Sequence, residues 1–256
     1  MVRRFFLPEG PQGAEARLSG QERDHLARVL RLRSGEEVVL FDGRGREWLA
    51  RVAEVGPEAC RLTVVSELAP GAEPGVEVWL VQALLKGPKA DWLVQKAVEL
   101  GVRGLTFVNS ERSVARPQGE GKLPRWRRIA AAALKQCRGS LLPEIAGPLA
   151  LDDLLAQPFD GPRFIFHEAS GHEASVHEAF GHEAEGVGLS QALGAAAPLK
   201  RVQLLIGPEG GFSEAEVARA RAAGLVAVRL GARVLRAETA ALAVVSAVLY
   251  AAGELG

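Results

Sequence analysis

Two glycine loops near the C-terminal end constrain this chain more than any other feature. Leu204-Leu205-Ile206-Gly207-Pro208-Glu209-Gly210-Gly211-Phe212-Ser213 is followed, about a helix and a strand later, by Leu230-Gly231-Ala232-Arg233-Val234-Leu235-Arg236-Ala237-Glu238-Thr239. Short apolar runs precede both, Val202 to Ile206 and Leu225 to Leu230, and helical patterns follow both. Each loop therefore stands where a strand hands over to a helix, which is where α/β folds bind ligands. Gly207, Gly210 and Gly211 permit backbone angles and close approaches that a Cβ would forbid, so bare N–H groups can face a ligand. Ser213 opens the next helix, Glu216 completes a capping box three residues on, and Gly224 supplies the stop.

The rest of the second half repeats this alternation. Val78 to Leu85, Leu105 to Val108 and Arg163 to Phe166 read as strands, while Asp91 to Leu100, Pro124 to Cys137 and Glu238 to Ala252 read as helices, the first ended by Gly101. Strands alternating with helices imply a mostly parallel sheet covered on both faces. The first 70 or so residues differ. A helical pattern over Gln21 to Leu32 is followed by strand-like runs at Glu37 to Asp42, Glu47 to Val55 and Arg61 to Ser66, separated by Gly43-Arg44-Gly45 and Gly56-Pro57. Two domains are expected, 1–70 and 76–256, joined at 71–75 within the Pro- and Gly-rich stretch that starts at Pro70.

Composition narrows the class. A chain 48% apolar and 24% charged, with no apolar run of the roughly 18 residues a span requires, reads as a soluble protein rather than a membrane one. The start, Met1 to Glu9, is too short in its apolar part for a signal peptide, so a cytoplasmic location is expected. Cys60 and Cys137 form no CxxC pattern and read as reduced thiols. The net charge of zero hides an asymmetry. From Arg103 to Arg138 nine Lys or Arg face two acids, while Leu151 to Ser190 sets eight acids against Arg163 alone, +7 beside −7. A basic window in a neutral protein suits a polyanion, although two ordinary solvated surfaces would look the same.

The acidic window contains a five-residue repeat of His-Glu-Ala type beginning at His167 and running to Gly186. His and Glu are both metal ligands, but a period of five scatters the histidines around a helix and alternates them on a strand. No metal is expected, and the segment reads as a low-complexity insertion. His167 differs from the other copies because it directly follows a strand, at the same sheet edge as the glycine loops.

With these motifs the chain resembles the RsmE family of 16S rRNA uridine-N3 methyltransferases, in the SPOUT class. The likeness is carried by the two glycine loops and supported by Val94-Gln95-Lys96-Ala97-Val98-Glu99-Leu100-Gly101-Val102, Ser110-Glu111-Arg112, Gln136-Cys137-Arg138, Arg4-Phe5-Phe6 and His25-Leu26-Ala27-Arg28-Val29-Leu30-Arg31. It implies an α/β protein with an N-terminal PUA-like β-barrel domain that binds RNA and a C-terminal SPOUT domain with a trefoil knot. It also implies a homodimer through the knotted domains and S-adenosyl-L-methionine as cofactor. The target implied is uracil 1498 in the decoding region of the small ribosomal subunit. The His-Glu-Ala repeat is longer than the family's usual connection there and leaves a cofactor role for His167 open.

The cofactor would be held by His167, by Leu205, Gly207, Glu209, Gly210 and Gly211, and by Leu230, Gly231, Val234, Leu235 and Thr239. The three leucines could wall the adenosyl pocket, with a plain core role a close second reading for each. Methylation at N3 must remove a proton and stabilise charge on the flanking carbonyl oxygens, a task suited to a guanidinium. Arg236 is the first catalytic candidate and Arg233 the second; pairing with a phosphate or a carboxylate is the alternative for either. Glu209 or Glu238 could accept the proton. Equally, Glu209 could shape its own loop, and Glu238 could complement the macrodipole of the last helix. Phosphate contacts are expected from Arg4, Arg28, Arg31, Lys86, Lys89, Arg112, Arg125, Arg128 and Arg138, with Arg28 and Arg31 sharing a helix face. Trp126, among those cations, has the helical spacing of a packing residue. Two other classes fit less well: an RNA-binding protein with a degenerate second domain, and a Rossmann enzyme, whose GxGxxG the GPEGG loop is not. A SPOUT enzyme acting on a different RNA also stays open.

Overall fold

A computed structural model describes residues 2–69, 71, 73–114, 122–167 and 186–255. Pro70 and Ala72 of the expected linker, and residues 168–185 of the repeat, lie outside the described residues. The chain divides into two compact units, Met1–Glu73 with Ala130–Leu142, and Pro74–Ile129 with Pro143–Gly256. Proline and glycine mark the first boundary in the sequence. The return of 130–142 to the first unit leaves no such mark, because the helical pattern from Pro124 to Cys137 runs through it unbroken.

The first unit is a five-stranded sheet in the order β1-β3-β4-β5-β2. Its strands are β1 (Arg3–Phe6), β2 (Glu15–Ser19), β3 (Glu37–Phe41), β4 (Glu47–Val55) and β5 (Ala59–Leu68). β3, β4 and β5 form an antiparallel meander, β2 runs antiparallel to β5, and β1 runs parallel to β3. Alternate residues point inward, so Val38, Leu40, Trp48, Ala50, Val52, Cys60 and Leu62 form one core with Phe5, Leu18 and Leu26. The expected helix over Gln21 to Leu32 is shorter and irregular. A turn of α-helix, α1 (Gly20–Asp24), widens into a π-helical turn over His25–Val29, where Leu30 N–H reaches the His25 carbonyl at 2.9 Å. Arg31 then takes φ +54°. Arg28 and Arg31 therefore share no helix face, since the helix has ended before Arg31.

The second unit holds a seven-stranded sheet, every neighbouring pair parallel, in the order β10-β12-β9-β11-β6-β7-β8. Its strands are β6 (Glu77–Ala83), β7 (Gly104–Asn109), β8 (Glu144–Ala150), β9 (Arg163–Phe166), β10 (Val187–Gly188), β11 (Arg201–Ile206) and β12 (Val226–Arg229). The helices are α2 (Lys89–Glu99), α4 (Leu151–Leu155), α5 (Leu189–Ala195), α6 (Glu214–Ala222) and α7 (Ala237–Ala251), with the first half of α3 (Lys122–Cys137), whose residues from Ala130 on belong to the first unit. α2 buries Ala90, Leu93, Val94, Ala97 and Val98, the stripe its spacing requires, and stops at Gly101 with φ +74°. β11 lies between β9 and β6, and Val202, Leu204 and Leu205 are wholly buried, as suits a central parallel strand. Among the described residues no helix is long and apolar enough to cross a membrane.

Strand order reverses between β6 and β11. From β6 the chain moves outward through β7 and β8, then returns to build β9 to β12 on the other side. A crevice outside the strands' C-terminal ends belongs at such a switch point, because connections leave it in opposite directions. The first glycine loop follows β11, at that position.

Candidate functional site

The 207–211 loop is shaped from both sides. Phe212, 1% exposed, seals its end into a cluster with Val81, Ile165, Leu205 and Val217, a burial worth about 2–3 kcal/mol. Gly211 N–H closes a turn on the Pro208 carbonyl at 2.9 Å, with φ +67° at Gly211. A Cβ on Gly207 would meet the Gly211 backbone at 3.3 Å, and one on Gly210 would meet Arg112 Cβ at 3.2 Å. Gly211 therefore supplies the left-handed angle, and the other two supply room. Leu205 lies wholly inside the core, as the plain core reading has it.

Three side chains hold this loop in a way that the sequence does not reveal. Gln82, fully buried at the end of β6, donates from Nε2 to the Gly207 carbonyl at 2.9 Å, to Ala83 at 3.1 Å and to Ile206 at 3.4 Å. Its only sequence signal is a lone amide in an apolar strand. Glu216, 1% exposed, accepts from Ser213 N–H at 2.8 Å and from Glu111 N–H at 2.9 Å. The capping box with Ser213 is present as expected, and its carboxylate additionally ties down the segment after β7. That segment returns a contact, Arg112 Nη1 to the Gly210 carbonyl at 3.3 Å. The third is Lys89. Its Nζ lies 3.1 Å from Glu209 and 3.3 Å from Glu238, and Lys86 N–H adds a bond to Glu209 at 3.2 Å.

Burial pushes the Glu209 carboxyl up, but its own N–H, Lys86 N–H and the Lys89 ammonium outweigh that and hold it below the usual carboxylate range. Lys89 is correspondingly raised, chiefly by its bond to Glu209. Lys89, expected as a phosphate contact, is thus hydrogen-bonded to Glu209 and ion-paired with Glu238 instead, pairings that spacing across 120 residues or more could not reveal.

The second loop is open. Gly231 has φ +69°, Arg233 and Thr239 are exposed, and Val234 is 81% exposed. Leu230 and Leu235 are half-buried. Arg236 is the N-cap residue of α7, its carbonyl accepting from Ala240 N–H at 2.8 Å while its side chain is exposed. Glu238 stands in the first turn of α7 with a largely buried side chain. His167 immediately follows β9, so β9, β11 and β12 bring it and both loops to one edge of the sheet. Its ring is 8% exposed, Nε2 lies 3.7 Å from Glu214 of α6, and Nδ1 is buried without a hydrogen-bond partner among the described residues.

The expected RNA contacts fare unequally. Lys86, Arg112 and Arg128 are exposed in the second unit, and Arg28, Arg31 and Arg138 in the first. Arg125 is exposed but bonded to Asp91 at 2.7 Å. Arg4 is withdrawn from the set: its guanidinium grips Glu47 through two bonds of 2.8 and 2.9 Å, donates to the Gly139 carbonyl at 2.8 Å and is only 11% exposed. Trp126 is buried, stacked 4.0 Å from the Phe107 ring, with its N–H on Asp91.

Comparison with known proteins agrees with this architecture. Residues 72–249 match the family model for an RNA methyltransferase domain, and residues 18–65 that for an RNA methyltransferase PUA domain. The chain is 34% identical over 249 residues to ribosomal RNA small subunit methyltransferase E of Mycobacterium bovis, covering 95% of this chain and 90% of that one. The protein of the same name from Bacillus subtilis is 27% identical over 258 residues, covering 97% and 96%. Among solved structures, ribosomal RNA small subunit methyltransferase E from Neisseria gonorrhoeae, bound to S-adenosyl methionine, superposes with a TM-score of 0.82 at 29% identity over 97% of each chain.

Proposed function

The chain belongs to the ribosomal RNA small subunit methyltransferase E family, and on that premise we propose that it methylates N3 of one decoding-region uridine of 16S rRNA, using S-adenosylmethionine. The observation that carries the reading is the 207–211 loop at the switch point of the parallel sheet, with bare glycine backbone beside His167 and the 230–236 loop.

The residues fit such a cofactor. At Gly207 and Gly210 a Cβ would press on Gly211 and Arg112, so glycine keeps the loop's backbone in its present course, and Nδ1 of His167, buried and without a hydrogen-bond partner among the described residues, stands at the same edge. Gly207, Gly210, Gly211 and His167 would hold it with Leu230, Gly231 and Leu235. When bound it supplies a methyl group on a positively charged sulfur. Transfer is an in-line displacement, so the loops act chiefly by fixing approach and angle. Arg236, exposed at the N-terminus of α7, stabilises the negative charge that spreads onto the uracil oxygens as the N3 proton passes to water; Arg233 is the nearest substitute. Lys86, Arg112 and Arg128, with Arg28, Arg31 and Arg138, provide phosphate contacts. The base itself must be unpaired or turned outward. The proposal includes a trefoil knot in the second unit, a homodimer built on that unit, and action on the small subunit in the cytoplasm.

Incubating the protein with labelled S-adenosylmethionine and unmodified small subunits or free 16S rRNA, then mapping the modified nucleotide, tests this directly. A single N3-methyluridine is expected, and no transfer to either substrate would refute it. Arg236→Ala is expected to retain cofactor binding and lose at least about a hundredfold in turnover. Turnover near that of the wild type would remove Arg236 from the chemistry.

A further inference from the structure

Lys89 reaches the 207–211 loop and the start of the last helix with one side chain. It begins α2, four residues after the buried Leu85 that follows β6, and so rises on the β6 side of the switch point. From there its ammonium meets Glu209 of the 207–211 loop at 3.1 Å and Glu238 of the first turn of α7 at 3.3 Å. These partners lie 120 and more residues away in sequence and follow two strands, β11 and β12, that are not adjacent because β9 separates them. Lys86 N–H adds a second bond to the same Glu209 oxygen, so the turn after β6 is fixed to the glycine loop through both backbone and side chain.

We propose that Lys89 is a positioning residue for methyl transfer: it clamps the glycine loop to the start of the last helix, so that the two backbone segments meet the cofactor in fixed register. This rests on the functional reading above. It changes the role of the two carboxylates. Each candidate proton acceptor lies against the same ammonium, so Glu209 and Glu238 act as anchors for their backbone segments instead of as free bases.

The test compares wild type with Lys89→Met, which keeps most of the stem and removes the charge, and with Lys89→Arg, which keeps a cation able to reach two carboxylates. Calorimetry gives the dissociation constant for S-adenosylmethionine, and amide exchange of the ligand-free full-length chain reports on 207–211 and on the first turn of α7. For Lys89→Met, cofactor binding is expected to weaken roughly tenfold, with faster exchange at both segments together and an unchanged melting temperature. The KM for the cofactor rises in step, while kcat at saturation stays within about threefold. Lys89→Arg restores most of the affinity and protection. Unchanged affinity and exchange in Lys89→Met would overturn the clamp, as would loss of kcat with affinity intact. Failure of the wild type to bind S-adenosylmethionine would instead overturn the functional reading beneath it.

Discussion

Replacing Glu216 by alanine should destabilise the second unit more than any other single change to a polar group around the site. The carboxylate is 1% exposed, and each oxygen accepts a backbone N–H, Oε2 from Ser213 at 2.8 Å and Oε1 from Glu111 at 2.9 Å. Hydrogen bonds to a charged group contribute about 1.5–3 kcal/mol each, and alanine leaves both donors without a partner. Half of the capping box is lost with them. Allowing for partial entry of water, the sum is about 3–5 kcal/mol. With a urea slope of about 2 kcal/mol/M for a unit of this size, the midpoint falls by roughly 1.5–2.5 M. Trp79, Trp92 and Trp126 report on the second unit, and Trp48→Phe silences the tryptophan of the first. Amide exchange at Glu111 and Ser213 should accelerate in the same variant. Glu216→Gln keeps the shape but turns an amide NH2 toward one of the two donors, so it should fall between wild type and alanine. A loss below about 1 kcal/mol in the alanine variant, with both amides still protected, would refute the assignment of this carboxylate as the junction of the two segments.

Other expectations follow from the same geometry. Gln82→Leu leaves the Gly207 carbonyl without its 2.9 Å donor but also removes the unpartnered Oε1, so the net cost should be about 1–2 kcal/mol, read as a lower melting temperature; an unchanged melting temperature would count against it. Gly211→Ala meets no atom within 4 Å, so only its φ of +67° opposes the change, at about 1–2 kcal/mol; a loss well above 3 kcal/mol would mean that space is limiting there. In the first unit, burial pushes the Asp42 carboxyl up, but the N–H groups of Arg44 and Arg46 and the Arg46 guanidinium prevail and hold it below the usual range. Its contribution is therefore complete above the ordinary aspartate range and is lost as pH falls through the lowered folded value. Urea midpoints from Trp48 should show a shallower acid loss for Asp42→Asn than for wild type, and parallel curves would contradict this.

Local features were legible in the chain because their causes lie within a few residues. β4 and β9 have the ends that alternation and apolar runs gave them, the capping box of Ser213 and Glu216 formed, and Gly101 and Gly224 end helices with positive φ. Both glycine loops fall at strand-to-helix handovers. Where the pattern misled, a tertiary contact prevailed: the helix expected to Leu32 ended early as Leu26 entered the core of the first unit. Four strands went unseen. β10 has two residues, β8 carries Gly147 and Pro148, and β1 and β2 find their partners in β3 and β5, well over thirty residues on.

What the sequence determined by itself was the alternation of strands and helices, the loop chemistry and, through its motifs, the family. The tertiary structure decided which strand neighbours which, and with it which charges are free. Arg4 and Lys89 look like phosphate contacts in one dimension, but Glu47 lies 43 residues from the first, and Glu209 lies 120 from the second. An ion pair over such a distance is set by strand order and register, and periodicity along the chain carries no record of either.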